Sequence, residues 1–323
     1  MRMGDILEAA RRSPFLDGLS PRDRDPWRSL FAVPVGVLAG AVAALLGAIT
    51  ATLTTLLVVS GLDGAPAAGD LFQIFTDPTL TDPSARQSLF LLAVLAGVNL
   101  GAAVGFVYAA GAMHHRRVTD YVNSSGRFRK RLLIGGLVIV GATMAGLVAI
   151  AAATGQSIDP PLWRASPNLV GRALYATMAV GLLILAAAAE ELVFRGWLLK
   201  QSAAYVRNPI VLMTLNGLLF AAIHFDPNID TFIFRAAMGA GLTWMALRLG
   251  GIELGIGAHA ANNAVILLLI RPMTTRPDAP HEFKASLIAS AVVMLAGLIG
   301  VTELAARWPT LRRWTRLQAP AAA

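Results

Sequence analysis

The chain has 323 residues, 56% of them hydrophobic and only 14% charged, with a mean hydropathy of +0.62. Its apolar residues fall in long runs rather than periodic stripes, which excludes an ordinary soluble domain and marks an all-α polytopic membrane protein. The net charge of +8 comes from arginines dispersed over separate loops, so it reflects topology and attraction to the anionic headgroups of a lipid bilayer, not nucleic-acid binding.

In chain order, residues 1–28 read as a cytoplasmic arm broken by Pro14, Pro21 and Pro26, expected to be a short interfacial helix or disordered. The arm is charged and the first apolar run is already long enough to span, the pattern of an uncleaved insertion signal. Windows of about 17 to 25 apolar residues predict eight transmembrane helices near 30–59, 87–113, 132–154, 173–194, 209–224, 231–248, 252–270 and 285–305, the fifth short for a span. The membrane domain therefore covers 29–306, and residues 307–323 form a cytoplasmic tail. Loops 60–85 and 271–284, rich in Pro, Gly, Asp and Thr, read as turn-forming linkers. In the second helix Gly97-x-x-x-Gly101-x-x-x-Gly105 offers a small-residue face for close helix packing, and no repeat of fixed period is visible. The chain has no cysteine, which removes disulfides, thiol nucleophiles and thiolate metal sites from consideration.

Lysine and arginine set the orientation. One side holds Arg2, Arg11, Arg12, Arg22, Arg24 and Arg28 of the arm, Arg116, Arg117, Arg127, Arg129, Lys130 and Arg131 of the second loop, and Arg195, Lys200 and Arg207 of the fourth. Arg248 and the tail residues Arg307, Arg312, Arg313 and Arg316 bring that side to 20 of the 27 basic residues. The opposite side has Arg86, Arg164, Arg172, Arg271, Arg276 and Lys284, with Arg235 left inside a helix. Both termini are thus expected to be cytoplasmic, as eight spans require.

Three polar constellations interrupt apolar helices. The first is Glu190-Glu191-Leu-Val-Phe-Arg195, where intramembrane carboxylates need pairing or function to offset their cost. Glu191 and Arg195 are four apart, the favourable order for an ion pair on one helix face. Glu190 points about 100° away and lacks that partner, a setting suited to a general acid or base. The second and third constellations are Phe220-x-x-x-His224 and His259-x-x-x-Asn263. Asn263, with Asn262 as the competing choice, can join His259 in donating to an oxyanion, and Phe220 reads as a packing residue that positions His224. Against this stands the plainer reading that the glutamates pair structurally or lie at headgroup level, and that each histidine is a hydrogen-bonded helix contact.

These three motifs, in this order over about residues 170–270, resemble those of the CPBP family, the CAAX proteases and bacteriocin-processing enzymes also called Abi. The resemblance implies an all-α intramembrane endopeptidase whose site opens toward the cytoplasm, and the eight-helix count agrees with the family's endoplasmic-reticulum endopeptidase. Carried onto this sequence, it implies that Glu190 with His224 activates water, that His259 with Asn263 stabilises the oxyanion, and that Glu191 and Arg195 support them. Family members are often described as metalloproteases, and Glu190, His224 and His259 would suit a zinc set with an open position. No His-Glu-x-x-His motif is present, since His281-Glu282 is followed by Phe-Lys-Ala, and a metal-free glutamate mechanism is preferred. The Ala- and Arg-rich composition suggests a bacterial inner-membrane protein. Bacteria generally lack prenylated CAAX proteins, so a peptide or a membrane-protein tail is the expected substrate. The alternatives are a proton-coupled transporter using Glu190, His224 and His259 as a relay, and a non-catalytic membrane scaffold.

One feature fits poorly. At about 1.5 Å per residue, Glu190 and His259 lie roughly 7 and 12 Å from the cytoplasmic ends of their predicted helices, whereas His224 falls roughly 24 Å along the fifth. Either that helix starts well outside the bilayer or the Asp226-Pro227-Asn228 turn is buried in protein. For the topology as a whole, a reporter fused after Ala323 or at residue 122 is expected to be cytoplasmic, and one at residue 66 or 277 external. An external C-terminal reporter would overturn the helix count.

Overall fold

The computed structural model describes residues 3–315 except 64, 78, 79, 81, 274 and 276–278. Arg2, Arg276, Arg316 and positions 277 and 323 lie outside the described residues, as does the predicted tail from residue 316 on. The described residues are helical, with one isolated bridge between Asn123 and Gly251 in place of any strand. The long helices are α1 (Pro26–Asp63), α2 (Ala85–Met113), α3 (Lys130–Ala153), α4 (Leu169–Tyr205), α5 (Pro209–Ala222), α6 (Ile229–Leu249), α7 (Glu253–Ile270) and α8 (Ala285–Arg307). Six of them, α1 to α4, α7 and α8, are long and apolar enough to cross a membrane. Helix α5 is apolar but short, as the sequence indicates, and α6, which carries Asp230, Arg235 and Arg248, falls outside that set.

Glycine sets how closely these rods approach. On α2, a Cβ at Gly97 would sit 2.5 Å from the Gly47 carbonyl oxygen, one at Gly105 would sit 2.6 Å from that of Ala39, and one at Gly101 would overlap that of Ala43. The Gly97-Gly101-Gly105 face is therefore the seam between α1 and α2. Gly136 and Gly257 serve α3 and α7 in the same way, since a Cβ on either would overlap a carbonyl of the other helix.

One expectation needs correction. Helix α4 does not stop near residue 194. It is α-helical to Glu191, makes a π turn over Leu192–Leu198 and continues as an α-helix over Leu199–Tyr205. Charge made Arg195 and Lys200 look like loop residues, yet both are buried. The Lys200 ammonium donates to the Asp120 carbonyl at 2.7 Å and lies 4.2 Å from the centre of the Phe15 ring. The N-terminal arm is likewise built into the fold, with a helix over Met3–Arg11 and 3-10 turns over Pro14–Leu16 and Pro21–Arg24. Its Ala10, Phe15 and Leu16 join one buried cluster with Leu199, Ala203 and Leu247.

Asp23 fastens the arm to Arg116 at 2.8 Å. Burial pushes the Asp23 carboxyl up, but the Arg116 guanidinium and the Ser20 amide and hydroxyl outweigh it and hold it at about 2. The contact thus keeps its full contribution above the ordinary carboxylate range and loses it only as pH falls through that value. Arg24 donates to the Ala204 carbonyl, and Arg131, at the start of α3, to that of Trp314. Both described ends of the chain therefore gather with the Arg-rich loops at one end of the bundle. At the other end the two linkers are more ordered than their composition suggests. Leu71 and Ile74 are buried against Phe90 and Leu91, and Asn228 bonds both the Ala279 carbonyl and the His281 amide.

Gly101→Val tests the α1–α2 seam. Overpacking there should cost about 1–3 kcal/mol, read as a lower melting temperature of the detergent-purified protein, and an unchanged transition would contradict the close approach.

Candidate active site

The site is organised around the entrance to the π turn of α4, a distortion that often accompanies function because it shifts side chains out of α-helical register. Glu191 and Arg195 straddle this entrance and are completely buried. Glu191 Oε1 accepts from Arg195 Nη1 at 2.9 Å and from His259 Nδ1 at 3.1 Å. The other arm of the guanidinium donates to the Gly239 carbonyl on α6 at 3.0 Å. The guanidinium carbon lies 4.4 Å from the centre of the Phe220 ring, adding a cation–π contact in a dry environment. Gly255 faces the carboxylate: a Cβ there would be 3.1 Å from Glu191 Oε2.

Glu190 points away from that pair, and its side chain is 22% exposed. Its Oε2 lies 3.7 Å from His259 Nε2, and its Oε1 is 3.5 Å from Asn99 Nδ2 on α2. The His259 ring is thus held between two carboxylates, Glu191 on Nδ1 and Glu190 on Nε2. Because a carboxylate faces Nδ1, that nitrogen carries a proton, and Nε2 is the nitrogen available for chemistry.

His224 lies in the turn just after α5, exposed, with its Nδ1 bonded to the Phe220 carbonyl at 2.7 Å. The Phe220 ring lies 5.0 Å from the His224 ring, 5.6 Å from that of His259 and 5.3 Å from that of Phe194. Phe220 is therefore the hub that joins the two histidines, more than the packing residue for His224 alone that its sequence spacing suggests. Asn263 lies one turn beyond His259 on α7 and accepts from Asn262 Nδ2 at 3.1 Å, which leaves its own NH2 outside that pair. The structure brings Glu190, Glu191, Arg195, Phe220 and His259 into direct contact, reaches His224 through Phe220, and holds Asn263 in place through α7 alone.

The extended α4 also removes the difficulty over depth. Glu190 lies about 22 Å before Tyr205 and His224 about 24 Å beyond Asn208, at 1.5 Å per residue. The α4–α5 hairpin turns between those points, so the two residues are level, with the Phe194–Phe220 contact as the rung between them. Asn99 escaped the sequence reading; the available signal was a carboxamide within the apolar run 87–113.

A zinc set would draw on Glu190 and on the Nε2 atoms of His259 and His224, since Glu191 and the Phe220 carbonyl bond their Nδ1 atoms. Among the described residues no three His, Cys, Asp or Glu side chains come together to hold one metal ion. His259 Nε2 faces Glu190 across 3.7 Å.

The buried pair carries a stability prediction. Arg195→Ala strands the Glu191 carboxylate, and Glu191→Ala strands the guanidinium, so each should destabilise by about 3–5 kcal/mol. Arg195→Lys should recover little, because an ammonium lacks the planar fork that reaches both Glu191 and Gly239. Thermal unfolding of the three variants in detergent reads this directly, and a loss below about 1 kcal/mol would place the pair in a wet, surface-like setting.

Residues 172–265 match a family model described as type II CAAX prenyl endopeptidase Rce1-like. Among curated proteins, the uncharacterized protein YyaK of Bacillus subtilis (strain 168) is 36% identical over 92 residues, which cover 25% of this chain and 29% of that protein. The chain thus spans under a third of the length of this curated relative. No solved structure matches it. The matched stretch runs from α4 to α7 and contains both carboxylates, Arg195, both histidines and Asn263, and over it the chain is similar to the CAAX-type endopeptidase family.

Proposed function

We propose that the protein is an intramembrane endopeptidase, embedded in the bacterial inner membrane through eight crossings with both termini cytoplasmic. It hydrolyses a peptide bond near the C-terminus or juxtamembrane region of a peptide or membrane-protein substrate. The observation that carries this reading is the placement of His259 between a locked carboxylate and a free one. Glu191 is fully buried and neutralised by Arg195, whereas Glu190 is partly exposed and has no ion pair with an arginine among the described residues.

In the proposed mechanism Glu190 and His224 flank the attacking water, and Glu190 takes its proton as the oxygen adds to the scissile carbonyl. The resulting oxyanion is met by His259 and Asn263. A His259 ring protonated on both nitrogens gives its Nδ1 hydrogen to Glu191 and its Nε2 hydrogen to the oxyanion. The Asn263 NH2 supplies a second donor. Glu190 then returns its proton to the leaving amine as the carbon–nitrogen bond breaks. Arg195 and Glu191 touch no reacting atom and hold the imidazole in place. No step of this proposed mechanism is assigned to a metal.

Glu190→Gln keeps shape and hydrogen bonding while removing the base, so it should abolish cleavage and leave the melting temperature nearly unchanged. Asn263→Ala should lower kcat by about 100-fold or more, and turnover should persist in chelator. The checks are turnover of a fluorogenic peptide beside metal analysis of the same protein, and membrane proteomics comparing wild type with Glu190→Ala for a missing fragment. Equal cleavage by wild type and Glu190→Gln would end the protease reading in favour of a transporter or scaffold. One zinc per chain, lost in His224→Ala or His259→Ala, with chelator-abolished activity would make Glu190, His224 and His259 ligands instead.

A further inference from the structure

Helix α2 has two working faces. Gly97, Gly101 and Gly105 clamp it against α1. A second line of buried residues, Ala96, Ala103, Val107 and Ala110, recurs at helical spacing, and Asn99 falls in its register, three residues after Ala96 and four before Ala103. The other positions of this line hold small apolar side chains. A carboxamide there costs free energy in a bilayer unless it is hydrogen-bonded. Its partner is the oxygen of Glu190 that His259 does not face, with Asn99 Nδ2 3.5 Å from Glu190 Oε1.

The opposite oxygen of the same carboxylate explains what this contact achieves. Glu190 Oε2 lies 3.7 Å from His259 Nε2, too far for a direct hydrogen bond and close enough for one water to touch both. A glutamate side chain has three rotatable bonds, and Glu190 has no arginine to fix it as Arg195 fixes Glu191. We propose that Asn99 is a positioning residue of the proteolytic site: its amide holds Glu190 Oε1 so that Oε2 stays directed at His259 Nε2 and the attacking water. Because α2 is clamped to α1 by the glycine seam, the amide is offered from a rigid element. Asn99 lies outside the stretch matched by the family model, and the assignment rests on the protease reading above.

Leucine matches the γ-branched shape of asparagine, though larger, and lacks the donor, and comparing its effect in two backgrounds separates packing from positioning. Full-length wild type, Asn99→Leu, Glu190→Leu and the double variant are melted in one detergent. Asn99→Leu should lower the melting temperature when Glu190 is present, where it strips a carboxylate of its donor. It should raise or preserve the melting temperature in the Glu190→Leu background, where it removes a partnerless amide. Equal shifts in both backgrounds overturn the contact. With an internally quenched peptide that wild type cleaves, Asn99→Leu should lower kcat by about tenfold or more with KM within about twofold, the mark of a misplaced catalytic group. An unchanged kcat overturns the positioning role. Equal activity of wild type and Glu190→Gln instead overturns the protease reading, and the melting comparison still decides whether Asn99 holds Glu190.

Discussion

Everything near the site follows from placing a carboxylate and a guanidinium, both fully buried, in the middle of an apolar helix bundle. Such a pair is tolerable only if geometry and extra hydrogen bonds offset its desolvation, and here each partner is engaged twice. Glu191 receives Arg195 and His259, while Arg195 reaches Glu191 and the Gly239 carbonyl. Gly255 leaves room for the carboxylate, and the Phe220 ring covers the guanidinium. Three helices are thereby registered on one ion pair: α4 supplies it, α6 its carbonyl, and α7 its histidine. The orientation of the His259 ring is a by-product of solving this electrostatic problem.

Much of this was legible in the sequence, because intramembrane polar residues are costly enough to be informative. The glutamate pair, the i,i+4 arginine and the two histidines stand out from apolar surroundings, and the glycine repeat of α2 forms the helix seam that its spacing indicates. What the sequence hides is which charges turn inward. Arg195 and Lys200 look like loop residues, so α4 is read as ending near residue 194. In the fold both are consumed inside the protein, and the helix runs on to Tyr205. That single misplaced end produced the apparent conflict over His224. Which side of a helix meets which neighbour is equally invisible, and so the approach of Glu190 to His259 Nε2 is not read from spacing. The arm, where the sequence leaves a short interfacial helix or disorder open, forms the helix Met3–Arg11 and buries Phe15 and Leu16 at the base of α4.

The same packing logic links scaffold and chemistry. Helix α2 contributes nothing to the three motifs, but its glycine seam holds it against α1 and presents Asn99 to Glu190 from the far side. The arm, through Asp23, Phe15 and Lys200, braces the end of α4 that lies below the π turn. Elements with no candidate catalytic residue therefore fix where α4 can sit, and α4 carries both carboxylates.

The division between the two glutamates is finally a matter of solvation and charge count. Glu191 is locked and balanced by Arg195, leaving Glu190 as the unbalanced charge of the cluster, partly exposed and beside the free nitrogen of His259. With the imidazole neutral, Glu190, Glu191 and Arg195 sum to one negative charge, and a single added proton makes the set neutral. In a low-dielectric interior, neutral clusters are favoured over charged ones. One carboxylate is thus fixed by an arginine and the other left open beside an imidazole, and the proposed general-base role of Glu190 rests on that division.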